Sequence, residues 1–208
     1  MTISPRRSFT LLFIPLLACS LLLAGCALRP DRNLRSSNLY DLGPLPQAKV
    51  TLPAVHVSIA EISAPAWLDS TAMFYRLDYA NSQQPHPYAQ SRWLSAPAQM
   101  FGQRLKARIA AAGGIAANAS DAASNLSMLR IDANDFIHAF DAPEKSHGDV
   151  SMRVSVYSGR ALIAQKSFTK SANAPSNNAD GGAKALATAS DAVIDEIIPW
   201  LATLPLKR

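Results

Sequence analysis

The chain has 208 residues, 49% hydrophobic and 17% charged, with a formal net charge of +5; this length suits one domain with its own core and does not demand two. The charge is mild and forms no basic face interleaved with aromatics, which argues against nucleic-acid binding. The only cysteines are Cys19 and Cys26, which leaves no room for a disulfide framework or a thiolate metal site.

Arg6 and Arg7 give the chain a positive start, and an apolar run from Phe9 to Leu23 follows. That is the layout of a secretory signal peptide, and the run of roughly 15 residues is short for a membrane span, which needs about 20. Leu23, Ala24, Gly25 and Cys26 then fit the bacterial lipobox. The small Ala24 and Gly25 let a peptidase reach the bond before Cys26, whose thiol takes diacylglycerol and whose new amino group takes a further acyl chain such as palmitate. Each buried methylene contributes about 0.8 kcal/mol, so several chains anchor a protein where one is marginal. The plainer alternative is an ordinary signal peptide with a chance cysteine near its cut.

Cleavage there removes 25 of the 208 residues and leaves 183; losing Arg6 and Arg7 lowers the net charge from +5 to +3. Cys19 departs with the leader and Cys26 becomes the anchor. Ala27, rather than Asp, follows the cysteine, which in enterobacterial sorting sends a lipoprotein to the outer membrane, here with the domain facing the periplasm. Residues 26–39 carry Arg29, Arg32 and Arg35 without hydrophobic periodicity. They read as a lipidated tether with basic groups near the membrane surface.

The domain is expected over residues 40–204. Tyr40 to Pro44 reads as a brief strand entering a turn, and Pro44, Pro46 and Pro53 keep the next stretch irregular. Val55, Val57 and Ile59 alternate with His56 and Ser58 in a strand spanning 54–62. A second strand runs from Met73 to Tyr79. Asn81 to Pro87 reads as a turn, and Tyr88 to Leu94 as a third strand, the hairpin partner of the second.

Ser95 is expected to cap a helix with Pro97 in its first turn. Phe101, Leu105, Ile109 and Ala112 form its apolar stripe, with Gln103, Arg104, Lys106 and Arg108 as the wetter face. Gly113 and Gly114 end it. Residues 115–123 have room for a short strand. Asn125 to Phe140 holds a long one, with Leu129, Ile131 and Ala133 on one face and Phe136 resuming after a bulge.

Asp141 to Gly148 reads as a polar turn. Val150, Met152, Val154 and Val156 then alternate strictly with polar neighbours, Ser158-Gly159 turns the chain, and Arg160 to Lys170 returns as a partner strand. Ser171 to Gly182 is expected as a loop. The last helix, 183–201, places Leu186, Ser190, Val193, Ile194, Ile197 and Leu201 on one face, and Pro199 kinks or ends it. The tail after Leu204 is expected to be loose. This order predicts a single α+β domain: a mainly antiparallel sheet with two principal helices packed on one face.

A search for chemistry finds little. His56, His86, His138 and His147 lack ligand spacing, so no metal is expected. Asp132, Asp135 and Asp141 depart from the calcium-loop pattern. There is no Gly-x-Ser-x-Gly elbow, and no Lys-Ser or Lys-Thr follows the glycine pairs. No catalytic set and no cofactor are expected. Trp67, Trp93 and Trp200 each sit beside a turn or an element end, closing a core edge or forming a partner interface.

Several segments together carry a family likeness. They are the lipobox followed by Tyr40-Asp41-Leu42-Gly43-Pro44, then Ile62 to Asp69, and then Tyr88 with Arg92-Trp93-Leu94-Ser95-Ala96-Pro97 leading to Arg104-Leu105. The strand from Leu129, the hairpin and the last helix complete the order. The chain resembles the ABC-type transport auxiliary lipoproteins of the paraquat-inducible protein C type. Trp67 departs from the family pattern, where Tyr or another residue is usual.

The resemblance implies a non-catalytic periplasmic lipoprotein serving an intermembrane lipid pathway. Its implied partner is an MCE-domain substrate-binding protein, with separate permease and ATPase subunits and a lipophilic cargo. Two other readings stand beside it. One is an envelope enzyme or small-ligand binder using scattered polar residues such as Asp132, Asp135 and His138. The other is an envelope assembly lipoprotein.

Overall fold

A β-strand has two edges, and the architecture follows from how one strand's edges are filled. The computed structural model describes residues 37–46, 53–121 and 125–207. In chain order the elements are β1 (Asn38–Tyr40), β2 (His56–Ile59), β3 (Ala72–Leu77), the short α1 (Asp78–Asn81), β4 (Ser82–Trp93), α2 (Pro97–Ala111), β5 (Ile115–Asn118), β6 (Ser127–Ala142), β7 (Lys145–Ser158), β8 (Ala161–Asn173) and α3 (Ala179–Ala202). The signal segment, Cys26 and most of the 26–39 tether lie outside the described residues.

Strand β6 pairs antiparallel with β7 along almost its whole length, from Met128↔Tyr157 to Ala142↔Lys145. That fills one edge. The other edge is shared: β2 runs parallel to its first part, at Val57↔Ser127 to Ile59↔Leu129, and β3 runs parallel to its last part, at Tyr75↔His138 to Leu77↔Phe140. The chain between them keeps contact with β6. Ala60 N–H donates to Leu129 O (3.0 Å), Ser63 N–H to Ile131 O (3.0 Å), and Ala133 N–H to Ser63 O (2.8 Å). The handover coincides with a register shift between Ala133 and Asp135, a bulge that bends a strand and increases its twist. Beyond β2 lies β5, and beyond β3 lie β4 and then β1.

The expected class holds: α+β, with long antiparallel pairings in the β6–β7–β8 meander and two principal helices. On its other edge β6 pairs parallel, with β2 and with β3.

Alternation places the core. Val150, Met152, Val154 and Val156 from β7 and Leu129, Ile131, Ala133 and Phe136 from β6 are buried. They share one hydrophobic cluster with Phe101, Leu105 and Ile109 of α2 and with Leu186, Val193, Ile194, Ile197 and Leu201 of α3. Each such aliphatic or aromatic side chain contributes about 1.5–3 kcal/mol when fully buried.

Several boundaries differ from the sequence expectation. The stretch 81–87 is not a turn: α1 makes the turn, and β4 already runs from Ser82. It accommodates Pro85 and Pro87, which face Arg76 and Phe74. Strand β1 pairs β4 only at Ser91–Trp93, so the prolines sit on an open edge where an absent N–H breaks no ladder. Residues 141–148 are not a polar turn either, because β6 and β7 run to within two residues of each other. The 171–182 loop is shorter than expected. β8 extends to Asn173, and α3 starts at Ala179 with the Asn178 side chain accepting from Gly181 N–H at 3.0 Å.

Helix α2 is not capped by Ser95. Its N-cap is Ala96, without a side-chain bond, and Pro97 is the first helical residue. Helix α3 continues through Pro199 to Ala202, since a proline this near the end removes only one bond of the last turns. The tail is tied down: Lys207 N–H donates to the buried Ser127 Oγ at 2.9 Å.

The N-terminal half of α3 lies directly on the sheet. A Cβ at Gly148 of β7 would stand 2.6 Å from Leu186 N and 2.8 Å from Ala185 C. Those atoms are helix backbone and cannot swing aside. Gly148→Ala is therefore expected to destabilise the domain by about 1–3 kcal/mol or more, read as a lower urea midpoint. Ser167→Ala on exposed β8 should move it by less than about 0.5 kcal/mol.

Candidate functional site

Two clusters of polar side chains stand out, and both hold elements together. The first joins the helices. On α2, Arg104 and Arg108 lie one turn apart; on α3, Asp191 and Asp195 do the same. Arg104 grips Asp191 with two bonds, Nε to Oδ1 and Nη2 to Oδ2, both 2.7 Å. Arg108 Nη1 donates to Asp191 Oδ1 at 3.1 Å, and its Nη2 pairs with Asp195. Both arginines are buried, Arg104 being 7% exposed. This corrects the expectation that they form the wet face of α2. A planar fork facing a carboxylate is the geometry in which a buried arginine is best satisfied.

Arg104 also reaches the N-terminal segment. Its Nη1 donates to Gly43 O (3.0 Å) and its Nη2 to Pro44 O (3.1 Å). Gly43 has φ +67°, which glycine adopts without the penalty a side chain brings, and its N–H is held by Asp41 Oδ1 at 2.7 Å. Together with β1 on β4 and the bond from Leu94 N–H to Tyr40 O at 2.7 Å, this fixes the point where the chain enters the domain.

The second cluster surrounds His138 on β6. The ring is fully buried beneath the first turn of α3, where a Cβ at Gly182 would collide with it. Its Nδ1 lies 2.8 Å from Tyr88 Oη, and Nε2 has no partner among the described residues. Tyr88 and Phe140 pack against it, and Tyr75 packs on both of those rings. Burial, aided by His147, lowers the His138 pKa to about 4 from its ordinary 6.5. Burial raises that of the Tyr88 phenol, so Tyr88 remains protonated and able to donate to a neutral imidazole.

The other residues singled out in the sequence are not brought into one constellation. Asp132 is held by Arg153 (3.0 Å) and Asp135 by Arg76 (3.5 Å); burial raises the Asp135 pKa, against the pull of Arg76 and the Phe136 amide. Asp141 pairs with Lys145 at 3.1 Å. Among the described residues no group of three His, Cys, Asp or Glu is placed to hold a metal.

Of the tryptophans, Trp93 is 2% exposed and meets Phe136 edge to face, which leaves no surface for a partner. Trp67 and Trp200 are half-buried, packed on Phe74 and Phe168. The lipobox residues Leu23, Ala24, Gly25 and Cys26 lie outside the described residues.

Two open grooves flank this framework. One, of about 410 Å³, runs along α2 past Ile59, Ile62, Ala98, Gly102 and Lys106. The other, of about 320 Å³, lies between β1 and α3, lined by Leu39, Leu42, Leu94, Ala183, Lys184 and Ala187. No helix among the described residues is long and apolar enough to cross a membrane.

The sequence reading missed the Arg104–Asp191 clamp. The signal was there: two basic residues four apart on one predicted helix, and two acidic residues four apart on the other.

Residues 39–198 match a family model described as an ABC-type transport auxiliary lipoprotein component. The chain is similar in fold to the crystal structure of a Xanthomonas campestris protein assigned to the family DUF330, with a TM-score of 0.65 and 18% identity, covering 81% of this chain and 96% of that one. It is also similar to a crystal structure described only as an uncharacterised protein, with a TM-score of 0.65 and 15% identity, covering 80% and 99%. At these identities the likeness concerns the fold alone. No protein of curated function matches the chain.

Removing Arg104 takes two of three hydrogen bonds from the Asp191 carboxylate, leaving it the one from Arg108. Arg104→Ala should destabilise the domain by about 3–5 kcal/mol, the usual result of breaking one side of a buried pair, with Arg104→Lys only partly restoring it because one ammonium cannot bridge both oxygens and two carbonyls. Denaturant midpoints for the three proteins check this. His138 gives a pH dependence of fixed sign. Its folded pKa of about 4 lies below the ordinary 6.5, so its contribution is complete above pH 6.5 and fades as pH falls from there towards 4. Stability should drop by a few kcal/mol between about pH 7.5 and about pH 4, beyond the loss in His138→Gln, since a tenfold difference in proton affinity between the folded and unfolded chain is worth about 1.4 kcal/mol.

Proposed function

The chain belongs to the ABC-type transport auxiliary lipoproteins, and on that premise we propose that it is a non-catalytic adaptor, acylated at Cys26, that meets an MCE-domain substrate-binding protein in an intermembrane lipid pathway. The observation that carries the proposal is the family match across residues 39–198 joined to a lipobox whose Cys26 stands 13 positions before that match begins. Permease and ATPase work belongs to separate subunits. The periplasmic face of the outer membrane is the proposed location, on the strength of Ala27.

The framework supports an adaptor role on physical grounds. The buried Arg104 and Arg108 and the half-buried Asp191 are bonded to one another and to backbone carbonyls, and an arginine bound in this way holds parts together and has no proton to move. His138 is sealed under α3 without access to solvent, a poor position for a general base, which must reach its substrate.

Two measurements test the reading. Radiolabelled palmitate should be incorporated into the wild-type protein and not into Cys26→Ala, which should accumulate as an uncleaved precursor; equal labelling of both would end the Cys26 assignment. The acylated protein, used as bait in membrane extracts, should recover an MCE-domain protein. Repeated recovery of none, with a folded bait, would remove that partner.

A further inference from the structure

The described residues expose six large hydrophobic side chains, and two of the most exposed, Leu39 at 62% and Leu94 at 64%, line the same groove beside β1. Single exposed leucines are ordinary. Two that meet where the tether enters the domain are a different matter. We infer that the β1–Leu94 edge is the face with which the domain rests on the lipid surface that holds its acyl chains. This rests on the Cys26 anchor proposed above.

The argument begins with reach. Ten residues, 27–36, lie between Cys26 and Ser37, where the described domain begins. Fully extended they span at most about 40 Å, and as a flexible coil on the order of 20 Å. The edge that receives the tether is therefore held within about 40 Å of the bilayer, and Leu39 is two residues beyond that point.

Rigidity comes next. Leu39 cannot fold away into the core, because β1 is registered on β4 at Leu39↔Arg92 and Tyr40↔Trp93. Leu94 is fixed by its N–H on Tyr40 O, and the next turn of chain is fixed by Arg104 on the Gly43 and Pro44 carbonyls. The two leucines are thus presented together on a stiff edge.

The lipid has matching chemistry. Apolar side chains flanked by basic groups favour the boundary between head groups and acyl chains. The tether carries Arg29, Arg32 and Arg35, which suits an anionic leaflet. The groove floor, Ala183 and Ala187, is shallow and apolar; at its rim stand Asp41 and Lys184, the amine paired with Asp180 at 2.7 Å, so the contact made by this face is apolar and the basic attraction comes from the tether. The occupant proposed is the bilayer surface itself.

The absence of other free thiols makes the test clean. Once Cys19 has left with the leader and Cys26 is acylated, a cysteine introduced at Leu39 or Leu94 is the sole thiol open to an environment-sensitive fluorophore. Full-length Leu39→Cys, Leu94→Cys and, as control, Ser167→Cys are produced with their own signal segment, labelled, and placed in phosphatidylethanolamine–phosphatidylglycerol vesicles. Flotation reads the anchor separately from the probe. The expected result is that all three float, with blue-shifted emission and quenching by a lipid-borne nitroxide at positions 39 and 94 and water-like emission at 167. If all three float and the probes at 39 and 94 stay water-like, the inference falls while the anchor stands. If none floats, the anchor fails and takes the inference with it. A blue shift at 39 and 94 that rises with protein-to-lipid ratio assigns the edge to a second copy of the chain and overturns the lipid contact.

Discussion

The edges of β6 govern this fold. Because β7 occupies one edge from end to end, β2 and β3 have to divide the other, and the bulge at Ala133/Asp135 marks where one gives way to the next. The division determines everything outward: β5 hangs on β2, and β4 with β1 hangs on β3. The two helices then cover the face on which Val150 to Val156 and Leu129 to Phe136 converge. A sheet split in this way has a seam, and the segment from Ala60 to Ser63 closes it by bonding to β6 backbone.

The second organising contact is Arg104 with Asp191. It is short, two-pronged and buried, and Arg104 adds two bonds to the carbonyls of Gly43 and Pro44. One side chain therefore ties α2 to α3 and both to the segment that follows β1. The same contact adds to the hold that β4 and the Leu94–Tyr40 bond already have on the edge bearing Leu39 and Leu94.

Much of this was legible in the residues. The alternation from Val150 to Val156, the stripe from Leu186 to Leu201 and the resumption at Phe136 after a bulge each name an element and its buried face, because burial on one side imposes a period of 2 or 3.6. What was not legible was long-range. Local pattern identifies β2 and β3 as strands but cannot tell that both run parallel to β6. Pro85 and Pro87 suggest a turn, because the open edge that makes them harmless in β4 exists only once β1 has been placed. Arg104 and Arg108 suggest a wet face, because a charge is assumed to seek water until its partner, more than eighty residues away, is known. Trp93 shows the same limit: an aromatic beside a helix start reads equally as core or surface, and packing on Phe136 decides it.

The site was legible in a different way. The lipobox is a chemical motif that needs no fold to be recognised, whereas the Leu39–Leu94 edge exists only once β1 lies on β4. The functional account joins the two: a domain held by acyl chains at one fixed edge. Intact-mass analysis of the N-terminal peptide from the protein purified out of membranes tests that centre most directly. The account predicts a peptide beginning at Cys26 with a diacylglyceryl group and an added acyl chain. An unmodified peptide, or one beginning at any other residue, would contradict it.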